Sequence, residues 1–256
     1  MRGNLYHRCV VGALIALLSV PVLATLLYSF SQHWGATILP DGLTLNWYIK
    51  LWQDSRFLAA FGHSLLIAVA TLILSTLIVV PATFVVFYYF PQLDRWMNIV
   101  ILLQFAVPPV VSSVGLLQIY ADGPVPIIGT PWVLIGCYFT IVLPFMYRAL
   151  TNGLHGLNVR DLMDAAHLLG ASSPVAFVRV VLPNIRKGLM ASLFLSFSFL
   201  LGEFVFANML VGNRYETLNV YLYTMRQTSG HFTSAIVMSY FIFTLGVTWI
   251  ATRLSR

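Results

Sequence analysis

The sequence predicts an all-α membrane protein with about six transmembrane helices. Composition gives the first reason, since 59% of the 256 residues are hydrophobic and only 9% are charged, against roughly a quarter charged in soluble domains. The second reason is that long apolar runs alternate with short polar stretches along the chain. Such a chain cannot cover a water-facing surface, so the lipid bilayer is its natural solvent. We expect a single transmembrane domain over residues 1–256.

The apolar runs give the expected positions of the spans. The first run follows a short basic segment, as in a signal peptide, but it exceeds the roughly 7–15 residues of a signal-peptide core. It also lacks a good A-x-A cleavage site, so we expect a retained span. A helix needs roughly 20 apolar residues to cross a bilayer. The expected spans cover residues 9–30, 64–90, 97–120, 131–149, 188–212 and 234–251.

Consecutive prolines stand in the middle of the third expected span, at Pro108 and Pro109. Two prolines remove two backbone donors, which predicts a break or a kink in the helix. Inside a bilayer, such a break is tolerated only where protein or a wet cavity satisfies the freed carbonyls. The polar segment before the second span is expected to hold a short helix around Leu45 to Leu51, lying at the membrane interface where Trp47 and Trp52 are favoured.

The distribution of basic residues predicts the orientation of the chain in the membrane. With a cytoplasmic amino terminus, about ten basic residues lie on the cytoplasmic side and four on the other side. This asymmetry follows the positive-inside rule and puts both termini in the cytoplasm. The formal net charge of +6 is therefore explained by topology, and no nucleic-acid partner is expected. The four basic residues expected outside are Lys50, Arg56, Arg214 and Arg226.

The loop over residues 158–184 is the one long segment with a soluble, charged and helical character. Asn158 is expected to cap a helix that starts at Val159 and carries Asp161 in its first turn. Gly170 stands where a glycine ends a helix at the C′ position. Four residues share one face by helical spacing, and their small members permit the close approach of another surface. These residues are Leu162, Ala165, Ala166 and Leu169.

A second short helix is expected directly after Gly170. Ser173 is expected to cap it, with Pro174 at the first helical position, where the missing N–H costs nothing. The pair Leu182-Pro183 is expected to end it. The loop is therefore predicted to form a helix–glycine–helix hairpin between the fourth and fifth spans, on the cytoplasmic side of the membrane.

The spacing within this loop resembles a known family. Asp164-Ala165-Ala166, then Gly170, Val180 and Leu182-Pro183, is similar to the EAA motif of permease subunits of binding-protein-dependent type I ABC importers. That motif has Glu-Ala-Ala, three residues, Gly, nine residues, Ile, one residue and Leu-Pro. Asp164 here stands for Glu, and Val180 stands for Ile. A weaker similarity of residues 201–204, LGEF, is to permeases of the polyamine, iron and small-solute branch.

The resemblance implies a mechanism and a set of partners. The hairpin would dock on a dimer of a separate cytoplasmic ATPase, and a second homologous permease or a copy of this chain would complete the channel. A periplasmic solute-binding protein would deliver the solute to this bacterial inner-membrane complex. The residues implied in ATPase coupling are Asp164, Ala165, Ala166, Gly170, Ser173, Pro174, Leu182 and Pro183.

The chain itself is expected to be neither an ATPase nor another enzyme. Neither Lys50 nor Lys187 follows the glycine-rich G-x-x-x-x-G-K-[ST] frame that cradles phosphates. ATP and Mg²⁺ are therefore expected on the partner ATPase, with no cofactor on this chain. The sequence shows no metal-ligand spacing. An intramembrane enzyme would need paired acid–base groups, and a secondary carrier often shows a repeat with several midplane charges; both alternatives are disfavoured.

Glu203 is the only acidic residue within an expected span. A carboxylate in a membrane marks a pathway or a specific partner. Ser192, Ser196, Phe199 and Glu203 share one face by their 4-3-4 spacing, and we expect this face either to line the solute path or to make a structural contact. Similar polar residues mark the third span and the outer side. The full set of path candidates is Glu203, Ser196, Phe199, Gln104, Ser112 and Asn208.

The solute itself is the least determined part of the prediction. One acidic group among many aromatic residues suits a cation such as putrescine or spermidine, because carboxylate pairing and cation–π contacts both favour positive charge. Ferric ion, thiamine and an aminophosphonate remain open as other solutes, since the resemblance implies that the binding protein carries much of the selectivity.

Overall fold

The computed structural model describes residues 2–35, 37, 40–121 and 123–254. The described chain is mainly helical, and its one pair of three-residue strands, β1 (Ser31–His33) and β2 (Asp41–Leu43), was not predicted. Five described helices are long and apolar enough to cross a membrane, and a bent helix pair makes a sixth candidate. The expected number of spans is therefore confirmed. The helices are α1 (Arg2–Phe30), α2 (Asn46–Gln53), α3 (Ser55–Tyr89), α4 (Asp94–Ala106), α5 (Pro109–Tyr120), α6 (Pro131–His155), α7 (Val159–Leu168), α8 (Ser173–Ala176), α9 (Leu182–Leu201), α10 (Leu218–Met225) and α11 (Gly230–Leu254).

The chain divides into two compact units. The first comprises Met1–Ala59 and Tyr221–Leu245, and the second comprises Ala60–Val220 and Gly246–Arg256. In the first unit, α2 confirms the short helix expected near Leu45 to Leu51. An aromatic cluster holds this unit together, because the ring of His231 stacks on Tyr28 at 4.1 Å and on Trp47 at 5.8 Å between ring centroids.

The junction between α2 and α3 is organised by Asp54. Its Oδ1 accepts a 2.8 Å hydrogen bond from the N–H of Arg56, and its Oδ2 accepts a 2.6 Å bond from the hydroxyl of Tyr221. Partial burial acts to raise the pKa of Asp54, but these bonds to the charged form outweigh that effect and leave the pKa below its ordinary value. Asp54 thus caps α3 as an ionised carboxylate.

The second unit contains the break predicted at the double proline. Helices α4 and α5 meet at Val107 and Pro108 with an angle of 93° between them. Pro108 and Pro109 cannot donate backbone hydrogen bonds, so the helical ladder ends at Ala106 and restarts at Pro109. The predicted kink is confirmed as a full break of the third span.

The core of the second unit lies between α6 and α9. Buried residues of α9 recur at helical spacing along one face, at Ile185, Leu189, Ser192, Ser196 and Leu200. A Cβ at Gly188 would lie 3.5 Å from the carbonyl oxygen of Ala149, in ordinary van der Waals contact, so the two backbones approach closely. Buried residues of α6 include Val142, Met146, Leu150 and Leu154.

Several predicted boundaries are wrong. The second span begins at Ser55 rather than residue 64, the fourth runs to His155 rather than 149, and the sixth begins at Gly230 rather than 234. In each case the helix continues through polar residues, because such side chains do not interrupt the backbone hydrogen bonds of a helix.

The expected end of the second hairpin helix at Leu182-Pro183 is also wrong. The chain is helical from Ser173 to Leu201 without interruption. Residues Phe177–Val181 form a π-helical turn, in which the N–H of Leu182 bonds to the carbonyl of Phe177. This wider turn directly precedes Pro183 and accommodates a residue that a regular helix interior would exclude. The fifth span therefore begins within the expected 158–184 loop.

Candidate functional site

A cavity of about 560 Å³ opens at the break between α4 and α5. Residues of α4, α6 and α9 contribute to its wall, together with the segment that follows α9. Phe105, Phe145, Phe199 and Phe204 give it an aromatic lining, and Glu203 brings an acidic group. The other lining residues are Gln104, Val107, Pro108, Pro109, Ile141, Ser198, Gly202 and Val205.

The fifth span is itself broken beside this cavity. Helix α9 ends at Leu201, and a helical segment resumes after Phe204 and passes through the π-helical residues Ala207–Val211. The expected continuous span over residues 188–212 is therefore wrong. Gly202 lies at the end of α9, where glycine is a common helix terminator, and this residue type gave the local signal for the break.

The Glu203 carboxylate caps the helical segment that follows the break. Its Oε1 accepts a 2.8 Å hydrogen bond from the N–H of Phe206, and its Oε2 accepts a 3.2 Å bond from the N–H of Ala207. The hydroxyl of Tyr138, on α6, donates a third bond of 2.9 Å to Oε2. Carboxylates are favoured at helix amino termini, where free N–H groups point outwards. Glu203 thus makes the structural contact that its sequence position left open.

The side chain of Asn219 donates hydrogen bonds to backbone carbonyls at the same break. Its Nδ2 donates to the carbonyl of Leu201 at 2.8 Å and to the carbonyl of Glu203 at 3.0 Å. These carbonyls have lost helical partners, and an unsatisfied carbonyl in a membrane costs several kcal/mol. Sequence reasoning missed Asn219 because it lies outside every expected span, and its role depends on a contact 18 residues distant in the chain.

The hairpin after the fourth span contains the predicted glycine stop. Gly170 has a φ of +82°, a conformation that only glycine adopts without strain. Its N–H bonds to the carbonyl of His167 at 2.9 Å, and the N–H of Ala171 bonds to Ala166 at 3.0 Å. This pair of bonds is a Schellman motif, so the expected end of α7 at Gly170 is confirmed.

The hairpin faces differ from those expected. The buried face of α7 consists of Val159, Met163 and Ala166, so Ala166 packs inside the protein and is only 6% exposed. Ala165 and Asp164 are exposed. The largest outward apolar groups are two leucines at the tip, Leu168 and Leu169, which are 88% and 89% exposed. The expected common face of Leu162, Ala165, Ala166 and Leu169 is therefore wrong.

Two expected caps of the hairpin are also corrected. The Asn158 side chain makes no capping bond to the backbone; its amide instead donates to Asp161. The second helix begins at Ser173, so Ser172 occupies the cap position and Pro174 the second helical position. The Ser173 hydroxyl instead shares a 3.2 Å hydrogen bond with Nε2 of His167 across the turn.

Comparison with known families matches residues 78–256, which include the cavity and the hairpin, to "Binding-protein-dependent transport system inner membrane component". The chain belongs to this family. It is a permease subunit of an ABC importer and a multi-pass membrane protein. This permease is 28% identical over 206 residues to the putative 2-aminoethylphosphonate transport system permease protein PhnV of Salmonella typhimurium, covering 80% of this chain and 77% of the relative.

A second relative and a solved structure agree with this assignment. The spermidine/putrescine transport system permease protein PotC of Escherichia coli K12 is 27% identical over 229 residues, covering 88% of this chain and 84% of the relative. A bacterial alginate ABC transporter, solved with an alginate pentasaccharide-bound periplasmic protein, contains a chain with a TM-score of 0.74 and 17% identity. The match covers 100% of this permease and 95% of that chain, and it shows a shared fold.

The structure brings together half of the predicted path residues in this permease. Glu203, Phe199 and Gln104 line the cavity. The other three predicted residues do not line the cavity. Ser196 lies on the buried stripe of α9 with Leu200, and it is fully buried. The spacing that suggested a solute path is therefore the packing face of the helix, and Phe199 lies beside that face with 52% of its surface exposed.

Ser112 and Asn208 lie outside the cavity lining. Ser112 is in α5, beyond the proline break, and the exposed Asn208 is in the π-helical segment after α9. Ser112 was expected on the third span and Asn208 on the fifth, and both spans are broken. In contrast, Phe105 and Phe145 line the cavity and were not predicted, because an apolar residue in a span gives no signal of the surface it faces.

Proposed function

We propose that this permease moves a small solute with primary ammonium groups, such as putrescine or spermidine, from the periplasm to the cytoplasm. The observation that carries the proposal is the position of Glu203, which is the one acidic group among the described residues lining a cavity with four phenylalanines. Movement would occur by alternating access, driven by a separate ATPase. In this proposal both termini lie in the cytoplasm, as the basic residues predict.

The electrostatic character of the cavity favours a cation. Among the described residues that line it, none is basic. The donors to Glu203 are the Tyr138 hydroxyl and backbone N–H groups after the break; all are neutral, so they orient the carboxylate without cancelling its charge. Aromatic faces attract cations as well, by roughly 0.5–2 kcal/mol each.

A zwitterionic aminophosphonate is the second candidate, favoured by the likeness to PhnV. Like a polyamine, it carries an ammonium group. The likeness to PotC favours the polyamine. A phosphonate is bound most strongly by a cationic partner, and no basic side chain is among the described residues that line the cavity, where Gln104 offers only a neutral amide. The polyamine therefore fits the cavity of this chain better.

The hairpin is proposed to transmit the force of ATP hydrolysis. Asp164, Ala165, Leu168 and Leu169 present an exposed surface to a dimer of ATPase subunits, which would bind ATP and Mg²⁺. The helix of Ser173–Leu201 runs from the hairpin directly to the break at Gly202. A displacement of the hairpin would thus reach the cavity along one continuous helix. A second permease or a copy of this chain would complete the translocation path.

Uptake into proteoliposomes tests the solute. The complete complex, with its ATPase and binding protein, is expected to accumulate labelled spermidine or putrescine and to exclude 2-aminoethylphosphonate. Glu203→Gln should lower polyamine uptake at least about tenfold, because one charge-assisted hydrogen bond is lost. Ser112→Ala, outside the cavity, is the matched control and should retain uptake. Aminophosphonate uptake without polyamine uptake would establish the second candidate instead.

A pair of hairpin variants tests the coupling. Leu169→Ser should leave the thermal stability of the permease unchanged, since Leu169 is exposed, and should lower solute-stimulated ATP hydrolysis. Ala166→Leu should instead destabilise the permease by about 1–3 kcal/mol, since it overpacks a buried position. Normal ATP hydrolysis and uptake in Leu169→Ser would contradict a docking role for the hairpin tip.

A further inference from the structure

A second cavity, of about 430 Å³, lies at the base of the hairpin. It is lined by the end of α3, the start of α4, one face of α6 and the first residues of α7. Its charged residues are Asp94 and Arg160. Within the described parts of the chain, neither residue forms an ion pair, although both line the same space. Opposite charges that share a cavity without pairing leave room for a ligand that pairs with both.

The Asp94 side of the cavity suits a primary ammonium group. Oδ1 of Asp94 accepts a 2.6 Å bond from the Tyr147 hydroxyl, and Oδ2 accepts a 2.9 Å bond from Nδ2 of Asn98. Both donors are neutral, so they fix the carboxylate and leave its charge unbalanced. The rings of Phe87 and Tyr88 line the same cavity and can face a cation. No group of three or more His, Cys, Asp or Glu side chains suited to a metal ion occurs among the described residues.

The opposite side of the cavity suits a phosphorus oxyanion. Arg160 supplies a guanidinium group, which binds phosphate oxygens in a bidentate manner. Asn158, Val159 and Arg160 also form the start of α7, whose first N–H groups receive no side-chain cap. Free N–H groups of this kind attract phosphate.

Exposed aromatic residues next to the cavity indicate that it lies at the membrane surface. Tyr89, Phe90 and Trp96 are 45%, 49% and 64% exposed, and they flank the turn that contributes Pro91 and Asp94. Such residues are favoured at the level of lipid headgroups. The cavity is also within the range of roughly 300–1,000 Å³ that is usual for small-molecule sites.

We propose that this cavity binds a phosphoethanolamine-type zwitterion, with the ammonium group at Asp94 and the oxyanion at Arg160 and the start of α7. The ligand is either the headgroup of a phosphatidylethanolamine lipid or a free molecule of the same chemistry. Bound there, it links the turn before α4 and helix α6 to the first residues of the hairpin. The site is separate from the cavity at Glu203, and it stands whichever solute the permease carries.

Ligand binding by the full-length permease tests the proposal. Native mass spectrometry in detergent would compare short-chain phosphatidylethanolamine with phosphatidylcholine and phosphatidylglycerol, and would include free phosphoethanolamine. The ethanolamine lipid is expected to bind about tenfold more tightly than the other two lipids, because only it has both a primary ammonium group and a phosphate that this site can pair. Preferential binding of free phosphoethanolamine, with no preference among the lipids, would identify the soluble source and also support the site.

Matched variants localise the binding. Arg160→Gln and Asp94→Asn should each weaken binding about tenfold, whereas Arg160→Lys should weaken it less. Arg179→Gln changes an exposed arginine of the same hairpin outside the cavity and should bind as the wild type does. Arg160 is exposed, so its variants should fold even if Asp94→Asn does not. Equal binding of all three lipids with no binding of phosphoethanolamine, or unchanged binding in Arg160→Gln, would overturn the proposal.

Discussion

The hydroxyl of Tyr138 donates a 2.9 Å hydrogen bond to Oε2 of Glu203, which joins α6 to the break after α9. The same carboxylate caps the next helical segment through Phe206 and Ala207. One side chain thus connects the helix that packs against α9 with the point where the fifth span is interrupted. The orientation of the acidic group in the cavity depends on this bond.

Tyr138→Phe tests the importance of that orientation. The change removes one hydrogen bond and keeps the Glu203 charge, so the stability of the permease should fall by only about 0.6 kcal/mol, the mean for hydrogen bonds between membrane helices. Uptake of the cationic solute should fall less than in Glu203→Gln. Unfolding in mixed micelles and proteoliposome uptake measure the two effects. A loss of uptake equal to that in Glu203→Gln would show that the bond, rather than the charge, is what transport requires.

Asn219→Leu should destabilise the permease by about 1–3 kcal/mol, because it leaves the carbonyls of Leu201 and Glu203 without their donor. The measurement is again unfolding in mixed micelles. Asn208→Leu is the matched control, since Asn208 is exposed and should change stability by less than about 0.5 kcal/mol. Equal stability of the two variants would show that other groups satisfy these carbonyls.

Variants at Gly170 distinguish the effect of backbone conformation from the effect of side-chain contact. A Cβ at this position would meet no atom within 4 Å, so any effect of substitution comes from the φ of +82°. Gly170→Val should cost about 1–2 kcal/mol and weaken ATPase coupling, whereas Gly170→Asn should be tolerated, because asparagine adopts this conformation more readily. ATP hydrolysis and uptake by the whole complex report the coupling. Similar values for the two variants would exclude the glycine conformation as the cause.

The capping carboxylate of Asp54 predicts a pH dependence of stability. Its pKa is lower in the folded chain than its ordinary value of about 3.9. The charged form therefore stabilises the fold fully above that ordinary value, and this contribution is lost as the pH falls through the lower folded pKa. Asp54→Asn should be less stable than the wild type at pH 7, and the difference should disappear at low pH. Thermal unfolding at pH 7 and at a pH well below 3.8 measures it, and a constant difference would contradict the assignment.

Local signals in the sequence predicted the helices and their main interruption. Apolar runs predicted the spans, Pro108 and Pro109 predicted the break, and Gly170 predicted the end of α7. These features depend on residues close together in the chain. The boundary errors arose where helices continue past the membrane core, because polar residues at a span end do not stop the backbone ladder.

The residues that line the cavity could be predicted only in part, because they come from helices that are distant in the sequence. Glu203, Phe199 and Gln104 were predicted as path residues and do meet, but Ser196 belongs to the packing face of α9. Which face of an apolar helix packs inside is decided by its neighbour, here α6. Tyr138 and Asn219 were missed for the same reason, since each acts on a residue far away in the chain.

The right-angled break between α4 and α5 has a consequence for how the protein is made. The two helices have 13 and 12 residues, which gives each a length of roughly 20 Å, against about 30 Å for the hydrocarbon core. Neither half can cross the bilayer alone, and lipid cannot satisfy the backbone groups freed between them. We therefore expect the insertion of this segment to depend on a helix made after it, since α4 packs against α6.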